Sequence, residues 1–482
     1  MFSIVKILLF ITGSCLAFNN KTFPENFKFG VSTSAYQIEG GWNEDGKGVS
    51  VWDYITHYKS SFILDHSNGD VACDSYHKLD EDIAMLKHLG VDFYRFSISW
   101  SRIIPTGRVN QGVNLAGVNY YRNLLKKLKE NNIDAMVTIF HFDPPEQLQA
   151  ESMFVNGSLN SLFVDYARMA FLLFGKDVKY WVTFNEPRGV CCDFLERFSL
   201  QPGRDSYTCT HNIIKCHAQV YRMYDEEFRA DYGGSVGIVL NTNWDEPASD
   251  KQADIDAAER KLQFEFAWYA DPIIHGDYPE LMKKRIKQFT LPFMPDRLPK
   301  FTEDEKKYIK GTADFLGVNH YASSYVSDKP DFGLFRTFEK DVGILMTYDP
   351  AWNTTSLDWF RVTPFGMRKI LNWVHKNYKI PLIITENGYV DGTGDLNDDG
   401  RINYLQSYLS NVLDAMYIDK VDVIGYSTWS LMDNWEWTSG YTQKFGLYYV
   451  NFSSPNTERI PKKSVSYYKK VVESHCVVDE CE

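Results

Sequence analysis

Tyr180-Trp181-Val182-Thr183-Phe184-Asn185-Glu186-Pro187 and Pro381-Leu382-Ile383-Ile384-Thr385-Glu386-Asn387-Gly388 are built alike: a short β-branched and aromatic run ends on a glutamate. Runs of this length bounded by turn residues read as buried strands of a parallel sheet. A carboxylate at the C-terminal end of such a strand stands where (β/α)₈ barrels assemble their active sites. The chain carries 63 acidic residues, most of them necessarily solvated surface, so position rather than residue type singles out Glu186 and Glu386.

Outward from these two runs the same pattern repeats. Lys28–Thr33, Asp92–Ser97, Ala135–Phe140, Tyr180–Phe184, Val236–Leu240, Phe315–Asn319, Leu382–Thr385 and Val423–Thr428 read as strands. Helical patterns lie between them. In residues 80–90, Ile83, Leu86 and Leu89 share a face, acids crowd the start and Gly90 closes the end. Val118, Tyr121, Leu125 and Leu128 share a face in the next. Eight alternations predict an α/β fold, a single (β/α)₈ TIM barrel with long loops at its C-terminal face. The segments 40–75, 241–312 and 325–362 are expected as loops around one mouth, and no linker divides residues 18–482.

Composition narrows the partners. Of 482 residues 44% are hydrophobic and 15% aromatic, enough for a large core, and the net charge of −12 without a basic stripe argues against nucleic acid. The start, MFSIVKILLFITGSCLA, reads as a signal peptide over residues 1–17, and no later apolar run is long enough to span a membrane. A secreted glycoprotein is expected, with sequons at Asn20, Asn156, Asn353 and Asn451. Beyond Cys15, seven cysteines remain, and the pairs most easily closed by spacing are Cys209 with Cys216 and Cys476 with Cys481. The pairing of Cys73, Cys191, Cys192, Cys476 and Cys481 is left open. No metal-binding spacing and no cofactor motif is present in the sequence, so neither is expected.

The strand ends collect side chains suited to a sugar: Gln37, Arg95, His141, Asn185, Glu186, Asn319, Tyr321, Glu386 and Trp429. Two facing carboxylates at such a rim are what cleavage of a glycosidic bond requires. Phe29-Gly-Val-Ser-Thr-Ser-Ala-Tyr-Gln37-Ile-Glu-Gly40, Tyr94-Arg95-Phe96-Ser97-Ile98-Ser99-Trp100, the two glutamate strings and Trp429-Ser-Leu-Met-Asp-Asn-Trp-Glu436-Trp437 together resemble glycoside hydrolase family 1, its animal and insect β-glucosidase-like members, from about Phe23 to Lys469. The resemblance implies a retaining β-glycosidase acting on a small β-glycoside. Glu386 is then the nucleophile and Glu186 the acid/base, with Arg95 and Tyr321 beside Glu386. Gln37, His141, Asn185, Asn319, Trp429, Glu436 and Trp437 bind the sugar, and Trp359 offers a platform to the leaving group.

Two departures stand out. The family's third-strand string, usually His-Trp-Asp-Leu-Pro-Gln, here reads His141-Phe142-Asp143-Pro144-Pro145-Glu146, and Cys191-Cys192 follow the acid/base closely. Three activities compete: an O-β-glucosidase, a thioglucosidase of the myrosinase type with Arg188 as a cation at the leaving-group mouth, and a non-catalytic glycoside-binding barrel. Oligomeric state and the identity of the aglycone are not legible.

Overall fold

The computed structural model describes residues 19–151, 154–155, 157–194, 199, 201–333 and 335–481. The expected leader and the Asn156 sequon lie outside the described residues. Eight parallel strands close into a barrel: β1 (Lys28–Ser32), β2 (Phe93–Ser97), β3 (Asp134–Phe140), β4 (Tyr180–Asn185), β5 (Ser235–Asn241), β6 (Phe315–Asn319), β7 (Leu382–Asn387) and β8 (Val423–Trp429). Each expected strand forms within two residues of its predicted bounds. Closure is made by β1, which pairs with β8 in the register Ser32↔Trp429 and with β2 in the register Ser32↔Arg95. Arg95 and Trp429 are thereby brought to one height on the rim.

Helices return the chain from rim to base: α1 (Leu79–Leu89), α2 (Leu115–Glu130), α3 (Ser158–Phe174), α4 (Asp205–Glu227), α5 (Glu303–Ile309), α6 (Phe365–Tyr378), α7 (Asp399–Tyr417) and α8 (Lys463–Ser474). Local sequence explains their ends. α1 opens on Asp80, Glu81 and Asp82, which favour the positive end of the helix dipole. It stops at Gly90, whose φ of 71° is left-handed and whose N–H bonds to the Leu86 carbonyl.

Apolar residues divide between two places. Phe93, Met136, Val182, Val239, Phe315 and Ile383, one from each of six strands, form a small cluster of their own, while the larger core fills the shell between strands and helices. Small residues let the rim close. A Cβ on Gly388 would lie 1.8 Å from the Trp429 carbonyl oxygen, so only glycine allows the chain leaving β7 to pass β8 so closely.

The long connections hold more structure than expected. Segment 241–312 contains helices Gln252–Leu262, Trp268–His275, Glu280–Gln288 and α5, and a three-stranded sheet joins Trp244–Pro247, Ser323–Asp328 and Ile344–Thr347. Short elements interrupted by Pro and Gly carry weak periodicity and were therefore legible only as loop. Among the described residues no helix is long and apolar enough to cross a membrane.

Candidate active site

Glu186 directly follows β4 and Glu386 is the penultimate residue of β7, and the strands between and beside them supply the groups that hold them. Arg95 of β2, fully buried, reaches across the barrel mouth: Nη1 donates to Glu386 Oε1 at 2.6 Å and Nη2 to Asn185 Oδ1 at 2.6 Å. Tyr321, just past β6, donates its hydroxyl to Glu386 Oε2 at 2.8 Å. Both carboxylate oxygens of Glu386 thus accept a bond, one of them charge-assisted. Tyr321 is itself fixed, because its carbonyl accepts the hydroxyls of Tyr404 and Tyr408 of α7, each at 2.8 Å.

Glu186 has a different neighbour. Asn319 Nδ2 donates to Glu186 Oε1 at 2.6 Å and to Asn185 Oδ1 at 3.2 Å, while Asn319 Oδ1 accepts from Thr385 Oγ1 at 2.7 Å. No cation bonds this carboxyl among the described residues. Burial, and next the negative charge of Glu386, push the Glu186 carboxyl up to about 8, against the opposing pull of Asn319. Its backbone has φ 43°, in the left-handed region uncommon for a residue with a side chain. That bend turns the chain off the strand as its N–H bonds to the Val239 carbonyl at 2.9 Å.

Asn185 ties the two halves together. Its Oδ1 accepts from both Arg95 and Asn319, which fixes the amide orientation and leaves the Nδ2 hydrogens toward His141, 3.3 Å away at Nε2. The His141 ring lies nearly parallel to Trp429 and to Trp437, with centroids 6.1 and 5.9 Å apart. Burial and the Arg95 charge hold the imidazole well below its usual range, so it is neutral. Trp429 Nε1 donates to Glu436 Oε1 at 3.2 Å. Burial pushes Glu436 up to about 8, the Glu386 charge adding to it and the Trp429 bond opposing it. Gln37 is held by Asn434 Oδ1 at 3.0 Å and the Trp435 carbonyl at 2.9 Å.

Every expected site residue except Trp359 joins this network of bonds and ring contacts. Trp359 is 44% exposed at the surface, stacked on the buried Phe360, which meets Tyr321 edge-on at 6.0 Å. Phe360, Asn434 and Thr385 were missed by the sequence reading. Each acts by holding another residue, and nothing in residue type alone marks that role. Phe142, in place of the family's usual Trp, packs edge-on against Trp437 at 5.3 Å. Arg188 is engaged with Asp193 at 3.4 Å, with the charge of Glu265 also close.

One expected disulfide is corrected. Cys209 and Cys216 both lie on α4, where seven residues of helix separate the Cα atoms by about 10 Å, beyond the reach of a disulfide. Cys209 pairs instead with Cys191, at a Cα–Cα distance of 5.6 Å, and Cys216 and Cys73 are buried thiols outside any disulfide. Cys476 does pair with Cys481. The sequons at Asn20 and Asn353 are exposed and Asn451 is half-exposed. Among the described residues no group of three or more His, Cys, Asp or Glu is arranged to hold a metal ion.

Residues 19–477 match Glycosyl hydrolase family 1. Human lactase/phlorizin hydrolase is 44% identical over 94% of this chain, which spans only 24% of that longer protein. Myrosinase 1 of Brevicoryne brassicae is 43% identical, over 93% of this chain and 98% of its own length. A rice β-glucosidase solved as a mutant in a covalent complex with Glc is 36% identical with a TM-score of 0.88, covering 94% of this chain and 99% of that one.

Proposed function

The chain belongs to glycosyl hydrolase family 1, and on that premise we propose that it is a secreted β-glucosidase hydrolysing small β-glucosides by retaining double displacement. The observation that carries this reading is the unequal pair: Glu386 bonded by Arg95 and Tyr321, Glu186 bonded by an uncharged amide. A carboxylate bonded to a guanidinium suits a nucleophile, and a carboxyl pushed up by burial suits a proton donor. Glu386 attacks the anomeric carbon from one face as Glu186 passes its proton to the departing oxygen. Glu186, now ionised, then removes a proton from water, which displaces Glu386 and returns the sugar with its original configuration. Its protonation is restored in that step.

The remaining residues orient the ring. Asn185 donates Nδ2 to the 2-hydroxyl, a contact that strengthens as charge develops at the anomeric centre. His141, Gln37, Glu436 and Trp437 bind the other hydroxyls, Trp429 supports the ring face, and Trp359 meets the leaving group at the entrance. The covalent Glc complex of the rice relative supports a glycosyl-enzyme intermediate in this family. Secretion, with loss of residues 1–17, is supported by the two disulfides and the exposed sequons at Asn20 and Asn353.

A second reading, thioglucosidase activity, draws on the 43% identity with Myrosinase 1. The cation it relied on, Arg188, is already engaged with Asp193, which weakens its claim on an anionic aglycone. Proton NMR of the secreted protein with an aryl β-D-glucoside, beside a glucosinolate, separates the two. Early β-glucose from the aryl glucoside supports the proposal, and cleavage of the glucosinolate alone establishes the second reading. Early α-glucose defeats double displacement.

A further inference from the structure

The segment that carries Glu186 is fastened to one helix on both sides of that residue. Upstream, Thr183 of β4 meets His217 of α4, Oγ1 to Nδ1 at 2.8 Å. His217 Nε2 lies 2.7 Å from the Thr312 carbonyl, which can only accept, so Nε2 carries the hydrogen. Burial pushes this imidazole down to about 4 and keeps it neutral. Nδ1 is therefore an acceptor, and the Thr183 hydroxyl donates to it. Downstream, the Gly189 N–H bonds to the Glu186 carbonyl at 2.9 Å and begins the π-helical turn Gly189–Phe194. Within that turn Cys191 is disulfide-bonded to Cys209 of α4.

The helix is a firm anchor. Thr210 and Tyr269 share a hydrogen bond of 2.8 Å, and Tyr207 donates at 2.7 Å to Asp341, a carboxylate paired with Arg297 and Arg336. Between the two tethers lies Glu186 in its left-handed conformation, which a residue with a side chain keeps only when its surroundings over-determine it. A glutamate that must place a proton on one particular oxygen gains from this constraint, since small displacements of a catalytic group cost rate steeply.

We infer that α4 is a splint for the proton donor, with Cys191–Cys209 and Thr183–His217 as positioning contacts that aim the Glu186 carboxyl at the leaving-group oxygen. The inference rests on Glu186 being the acid/base of the proposed reaction. It predicts a selective defect, because only leaving groups that need a proton depend on that aim.

The test compares kcat/KM, which reports the first chemical step, for an alkyl β-glucoside and for 2,4-dinitrophenyl β-glucoside, whose phenolate departs unprotonated. In C191A/C209A the alkyl glucoside is expected to lose about 10–100-fold, while the dinitrophenyl substrate changes by less than about twofold. T183V removes the other tether without touching the disulfide and is expected to give the same selectivity, should the double variant fail to fold. Equal losses on both substrates, or no loss on either, overturn the inference and leave the disulfide a structural bond. E186Q separates the layers. If E186Q lacks the alkyl-selective loss, the assignment of Glu186 fails. If E186Q shows it and the tether variants do not, only the splint fails.

Discussion

Glu386, buried, and Glu186, partly buried, lie at the ends of strands of the same barrel, yet the rim treats them oppositely. Around Glu386 stand a buried guanidinium at 2.6 Å and a tyrosine hydroxyl at 2.8 Å. Around Glu186 stands a neutral amide at 2.6 Å, and the charge of Glu386 is the largest influence on it after burial. Both sides offer hydrogen bonds of similar length; what differs is the charge of the donor. Burial raises the cost of an ionised carboxyl, and a guanidinium bonds directly to Glu386 whereas, among the described residues, only a neutral amide bonds to Glu186. The contrast between identical residue types therefore comes from Arg95 of β2, two strands from Glu186 and five from Glu386 in sequence order.

The comparison can be broken at either end. E386Q removes the proposed nucleophile and is expected to lower kcat by more than about 10⁴-fold on every glycoside, measured by product release. E186Q should cost about 10²–10⁴-fold in kcat/KM on alkyl glucosides and little on activated aryl ones, so a uniform loss would contradict its role as acid. Y321F deletes one of the two bonds on Glu386 without removing the Arg95 charge. A hydrogen bond to a charged group is worth about 1.5–3 kcal/mol, so a fall in kcat of about 10–100-fold is expected.

Titration sharpens the same contrast. The proposed reaction needs Glu186 protonated, and its carboxyl is raised, so kcat/KM should fall about tenfold per pH unit on the alkaline side, above about 8. The sign for stability is the same. Glu186, Glu436 and Asp143 are each pushed up to about 8, chiefly by burial, so the folded state binds their protons more tightly than the unfolded chain. Their contribution to stability is whole below the ordinary carboxylate range and is lost as pH rises through about 8. Thermal melts should show a lower Tm at pH 9 than at pH 6. The smallest effect belongs to W359A: an exposed stacking surface is worth about 0.5–1.5 kcal/mol, which predicts a rise in KM of about 2–10-fold for aryl glucosides.

Much of this was readable before any coordinates. The eight strands were legible because both of their faces are buried, which leaves runs such as Leu382-Ile383-Ile384 without polar interruption. Their C-terminal ends then named the rim residues. The Cys209–Cys216 pairing failed because spacing was read as a flexible loop, whereas α4 runs unbroken from Asp205 to Glu227 and holds its residues at fixed rise. Supporting contacts were hidden for another reason. Asn387, in the string with Glu386, looks available to substrate, but its amide is spent on the His320 carbonyl and the Tyr404 and Tyr426 hydroxyls. Such pairings join residues far apart in sequence and carry no local signature.

In the proposed reaction Glu386 is the group that bonds to sugar. Incubation with 2,4-dinitrophenyl 2-deoxy-2-fluoro-β-D-glucoside, in which the fluorine slows hydrolysis of the intermediate, followed by peptide mass spectrometry, tests it directly. One fluoroglucosyl adduct is expected, on the peptide containing Ile384-Thr385-Glu386-Asn387 and localised to Glu386. An adduct on Glu186 or Glu436, or turnover of the parent glucoside with no adduct trapped, would contradict it.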